Sequence, residues 1–112
     1  VEPLVRTAEL RVIRLYQPHG LRVEGVVDVH GHRHLSEALE AVAQTAGDVH
    51  LDLSGLEFLD LGGLRLLMDF ARSRPEGRQV ELAGLAPHLR QVITLVGWDE
   101  TPGLRLRARR AG

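Results

Sequence analysis

Val49-His-Leu-Asp-Leu-Ser-Gly-Leu-Glu-Phe-Leu-Asp-Leu-Gly-Gly-Leu-Arg-Leu-Leu67 changes its apolar period part-way along, and that change decides the fold class. Val49, Leu51 and Leu53 alternate with His50, Asp52 and Ser54, the period of a strand buried on one face. Ser54-Gly55 is expected to break the run, and a second short apolar piece, Leu56 to Leu59, leads to Asp60. The spacing then turns helical: Leu64, Leu67, Met68 and Ala71 fall at i, i+3, i+4 and i+7. Asp60 stands just ahead, where its carboxylate can accept from otherwise unpaired N–H groups and face the positive end of the helix dipole. Gly62-Gly63 is costly there, at up to ~1 kcal/mol per glycine relative to alanine inside a helix. Either something uses the uncovered backbone or the helix packs unusually close. We expect a recognition role, because a bare helix start on a sheet's rim suits an anion or a partner's backbone.

Working outward, Leu10, Val12, Ile13 and Leu15 suggest a first strand, and Gln17-Pro-His-Gly20 a turn. Leu21, Val23, Val26, Val27 and Val29 form a second strand, with Gly25 marking a bulge or close backbone approach. The pair should be an antiparallel hairpin. Leu35, Ala38, Leu39, Val42, Ala43 and Ala46 make one helical stripe, closed by Gly47. After the central strand and helix, Pro75-Glu-Gly77 is a stop and residues 79–83 a strand. Ala86-Pro87 opens a third helix with Leu89, Val92, Ile93 and Val96 inward, and Gly97 ends it. Leu104 and Leu106 mark a last short strand.

The order ββαβαβαβ predicts one α/β domain over residues 10–107, with a mixed, mostly parallel sheet after the hairpin. Its strands are amphipathic, so the helices should lie mainly on one face. Residues 1–9 read as a linker or disordered N-terminus and 108–112 as a tail. The chain opens on Val1 rather than Met, so we expect a preceding segment carrying a sensor or effector.

A chain of 112 residues is a single domain by size, and 44% apolar with 26% charged residues is ordinary globular composition. Net charge −1 gives no overall pull toward nucleic acid or membrane, and no apolar run approaches the ~20 residues of a membrane span. With no cysteine, disulfides, thiolate–zinc sites and thiol catalysis are excluded, and the cytoplasm is permitted.

Most candidate chemistry has a plainer explanation. His30-x-His32-x-His34 shares a face only in an extended strand, yet it precedes a helix and has no completing cluster, so we assign no metal. Asp28, Asp52 and Asp60 show no partner base, so we assign no catalysis and no cofactor. Gly55, Gly62 and Gly63 fit neither nucleotide fingerprint. The arginines from Arg105 to Arg110 read as a solvated edge, and Trp98 as a core plug.

Taken together, Val23-Glu-Gly25 with Asp28, Val49 to Gly55, Phe58-Leu-Asp60 with Gly63-Leu64, Gly84 to Pro87, and Leu95-Val-Gly97 resemble a STAS domain, the fold of bacterial anti-sigma factor antagonists. The likeness spans about residues 10–107. Pro18 to Val23 and Gly97-Trp-Asp99 with Pro102-Gly-Leu104 are further similar to STAS domains fused behind a MEDS-type sensory domain. The resemblance implies partner switching in transcription control, with an anti-sigma factor of histidine-kinase-like ATPase type as partner. It also implies a phosphorylatable Ser or Thr before the glycine of the loop, and here that place is Gly62, with Leu61 ahead of it also lacking a hydroxyl.

We therefore expect a cytoplasmic, non-enzymatic binding module that is not phosphorylated at Gly62. Its partner is an anti-sigma ATPase or another domain of the parent protein. The expected partner-binding residues are Asp28, Ser54, Asp60, Leu61, Gly62, Gly63, Leu64 and Arg65. The alternatives are a nucleotide or small-ligand sensor and a structural or homodimerisation module.

Overall fold

The computed structural model describes residues 3–6, 9–44 and 47–107. Its elements are β1 (Pro3–Arg6), β2 (Leu10–Tyr16), β3 (His19–Val27), α1 (His32–Ala43), β4 (Val49–Leu59), α2 (Leu61–Arg72), β5 (Val80–Ala83), α3 (Pro87–Leu95), a 3-10 turn (Trp98–Glu100) and β6 (Leu104–Arg107). The six strands form one sheet in sequence order. β1, β2 and β3 pair antiparallel, and β3 to β6 pair parallel, which is the expected mixed sheet.

The pairing register sorts the side chains onto two faces. Leu21, Leu51, Leu82 and Leu106 lie opposite one another across four strands, and all face the helices. They join a single core with Leu35 and Leu39 of α1, Leu64, Leu67 and Met68 of α2, and Ile93 of α3. The alternate positions carry charge instead. Arg22 lies opposite Asp52, and His50, Glu81 and Arg105 form a row. All three helices therefore cover one face, as amphipathic strands demand.

Two expectations are corrected. Part of the N-terminal segment expected as a linker is β1, which pairs Val5 with Val12 and Arg6 with Arg11. Backbone pairing at the free edge of β2 recruits it, so it leaves no mark in the apolar pattern. The rest of that segment, Glu9 excepted, and the tail expected over 108–112 lie outside the described residues. Secondly, Ser54-Gly55 does not break the strand. β4 is continuous from Val49 to Leu59, and its register against β3 shifts twice, between Arg22 and Glu24 and between Gly25 and Val26. Bulges bend the strand while pairing goes on. Gly25 adopts φ +90°, and a Cβ there would lie 2.1 Å from the Glu9 carbonyl oxygen.

Leu51 has no accessible surface and sits mid-row between Leu21 and Leu82. Leu51→Ala is expected to cost about 2–5 kcal/mol in denaturant unfolding, the usual range for a core leucine.

Candidate functional site

The C-terminal ends of β3 and β4 and the starts of α1 and α2 meet at one corner. The Asp60 amide donates to the Val27 carbonyl at 3.0 Å, tying the end of β4 to the end of β3. Asp60 then caps α2, its Oδ1 accepting from the Gly63 amide at 2.7 Å. His32, in the first turn of α1, donates through Nε2 to the same oxygen at 2.7 Å. One carboxylate thus joins two helix starts.

This geometry accounts for both glycines. A Cβ on Gly63 would lie 2.6 Å from Leu59 Cδ1 and 2.8 Å from Val27 Cγ1. A Cβ on Gly62 would lie 2.5 Å from His32 Cε1. Close packing inside the fold, rather than a partner, requires glycine at position 63. Gly63 is buried and its amide is taken by Asp60, so only the Leu61 and Gly62 end of the predicted bare corner is exposed. Leu64 is 0% exposed, which corrects its expected place in a contact surface: its phase on α2 turns it into the core.

Other expected residues are scattered around this centre. Asp28 holds the turn after β3, its Oδ1 accepting from the His30 amide at 3.0 Å. Arg65 projects into solvent 4.0 Å from Asp69. Ser54 is not part of the corner, standing six residues before Asp60, about 20 Å along a strand rising ~3.3 Å per residue. Its hydroxyl donates to Asp52 at 2.6 Å. Three large apolar side chains remain in water nearby: Val29 (70% exposed), Phe58 (53%) and Leu61 (62%). The sequence pattern put Val29 in the second strand, which ends at Val27 instead, and Phe58 in the family motif, but neither among the contact residues, although such side chains in solvent mark contact surfaces. His32 also escaped notice as a partner of Asp60, since no local pattern links residues 28 apart.

Burial pushes the Asp60 carboxyl up, but the hydrogen bonds from His32 and the Gly63 amide, with the charge of His32, outweigh it and hold the group below its ordinary value. Asp52 behaves alike: burial raises it, and bonds from the Ser54 hydroxyl and amide and from Arg22 bring it down. Among the described residues no three His, Asp or Glu side chains converge as a metal site would require. No described helix is long and apolar enough to cross a membrane.

Comparison with known proteins assigns this architecture. A family model described as "Mlab, STAS domain" matches residues 12–107. The chain belongs to the STAS domain family. The family makes it a regulatory protein-interaction module, of a kind generally without enzymatic activity. This STAS domain is similar to a crystal structure of an anti-sigma factor antagonist from Mycobacterium paratuberculosis, with TM-score 0.66 and 29% identity over 76% of this chain and 74% of that one. It also shares its fold with an anti-sigma-factor antagonist (STAS) domain protein from Planctomyces limnophilus, with TM-score 0.64 and 19% identity over 93% of this chain and 92% of that one. No curated protein matches.

Gly63→Ala is expected to destabilise the domain by about 1–3 kcal/mol through overpacking, read from denaturant midpoints. Gly62→Ala should cost less, because only the His32 ring has to swing aside. The depressed Asp60 carboxyl contributes stability that is whole above its unfolded value, near 3.8, and is lost as pH falls through the folded value. The stability difference between the native chain and Asp60→Asn should therefore hold from neutral pH down to about 3.8 and shrink below it, as thermal melts across pH will show.

Proposed function

We propose that this STAS domain docks a protein partner through the start of α2 without phosphorylation at position 62. The partner class is an anti-sigma factor of kinase-like ATPase type, or another domain of the parent protein, in the cytoplasm. The observation that carries this is Leu61, 62% exposed on a rigidly capped helix start beside exposed Gly62. A leucine held in water by a fixed backbone loses little freedom on binding, so its burial goes largely into affinity. Phe58 and Val29 are further exposed apolar side chains around the C-terminal ends of β4 and β3, where Asp28 and Arg65 add polar groups. The anti-sigma factor antagonist among the structural neighbours supports the partner class. Gly62 offers no hydroxyl, so a kinase-like partner finds no acceptor at the position where the family carries one.

The test is calorimetry of the domain against candidate anti-sigma ATPases with ATP. Leu61→Asp and Gly62→Asp are expected to weaken binding about 30-fold or more, the loss of a central contact worth ~2 kcal/mol. Phosphate found at any residue from 60 to 64, or binding indifferent to both variants, would overturn the proposal. Saturable thermal stabilisation by a nucleotide with no protein partner would point to ligand sensing instead, and concentration-dependent mass alone to a dimerisation module.

A further inference from the structure

We propose that the second half of β4 takes up an extended segment of a protein partner as an added strand. The inference deepens the docking proposal, on which it rests only for the partner being a protein. β5 pairs with β4 from Val49, opposite Val80, to Asp52, opposite Ala83, and goes no further. β4 itself runs on to Leu59, with β3 on one side and, among the described residues, no strand on the other. Gly84 marks where the chain turns away from it: a Cβ there would lie 2.7 Å from Ser54 Cβ. Past that contact, residues 55–59 form an unpaired flank inside the sheet. The Asp60 amide donates to the Val27 carbonyl of β3, and amides alternate in direction along a strand, so the Leu59 amide points to the open side. Such a row of strand N–H and C=O groups is a template for another extended backbone.

The outer strands of the sheet are guarded, and this flank is not. β1 contains Pro3 and Arg6, and β6 contains Arg105 and Arg107, residue types that discourage pairing at an edge. Gly55-Leu-Glu-Phe-Leu59 has no proline, lysine or arginine. Beside it lies a groove of about 170 Å³, whose far wall is Leu85, Ala86 and Leu89 around the start of α3. That is below the roughly 300–1,000 Å³ of small-molecule sites and suits one aliphatic side chain. Glu57, at the groove, is exposed and makes no ion pair among the described residues. The segment that fits therefore carries an aliphatic residue for the groove and a lysine or arginine to face Glu57.

Strand addition complements the contact proposed at Leu61. Leu59 is followed directly by the Asp60 cap, so the open flank leads straight into the start of α2 and one partner can span both. Burial of Leu61 is non-directional. Backbone pairing along residues 55–59 fixes the direction and register of the incoming segment, while the groove and Glu57 select its side chains.

The probe is a short peptide chosen by the purified chain itself from random sequences displayed on phage. Selected peptides are expected to alternate aliphatic with polar residues and to include lysine or arginine. A synthetic copy should protect the Leu59 amide from hydrogen exchange. N-methylation of one of the two alternating sets of its amides should abolish binding while every side chain stays in place. Glu57→Lys, checked for fold by circular dichroism, should weaken the peptide about tenfold, the swing from unlike to like charge across a strand pair. The exchange and N-methylation measurements use the native chain and need no variant. Selection of no peptide, binding that leaves Leu59 unprotected, binding that survives both N-methylations, or affinity unchanged by Glu57→Lys would each overturn the inference. A domain that docks its ATPase yet gives one of these results refutes strand addition alone. One that protects Leu59 with a peptide but binds no ATPase refutes the docking proposal alone.

Discussion

Gly63 packs so closely on Val27 and Leu59 that no side chain fits between them, and this contact sets where α2 begins. Once the helix start is pressed onto the ends of β3 and β4, Asp60 has its position. It must cap α2, and its carboxylate lies within reach of α1. The His32 bond then locks the first turn of α1 to the same oxygen. Two helices far apart in the chain share one anchor, and the core leucines of α2 are aligned by it. Leu64 turns inward and Leu61 outward as a consequence of helical phase.

The opposite side of the sheet follows another logic. No described helix covers it, and its residues meet as charge pairs across neighbouring strands: Arg22 with Asp52, His50 with Glu81, Arg11 with Glu24. Exposed pairs of this sort add little stability each. Their effect is to keep a broad, flat surface soluble and unattractive to other sheets. Around the C-terminal ends of β3 and β4, by contrast, the large apolar side chains of Val29, Phe58 and Leu61 stand in water.

Packing constrains the two glycines of the α2 start in different ways. The fold needs glycine at 63, whereas position 62 is glycine because an imidazole occupies its side-chain space. A hydroxyl residue at 62 would have to displace His32 and loosen its hold on Asp60. The absence of an acceptor at 62 and the presence of the His32–Asp60 pair are therefore one structural fact seen from two sides.

Local pattern alone determined much of this protein. Alternation at Val49, Leu51 and Leu53, the stripe from Leu64 to Ala71 and the cap at Asp60 are written within a turn or two of chain, and each appears in the structure as expected. The single helical layer was legible too, because charged alternate positions leave a face that nothing apolar can cover. What tertiary structure decided was everything that depends on register between distant segments. β1 joined the sheet through backbone bonds that carry no side-chain signature. β4 ran on through Ser54-Gly55 by carrying an extra residue at each of two bulges against β3. Above all, Gly63 proved to be a buried spacer against Val27 and Leu59, and Gly62, though exposed, has His32 where a side chain would stand, since only the packed fold brings residues 27, 32 and 59 against them.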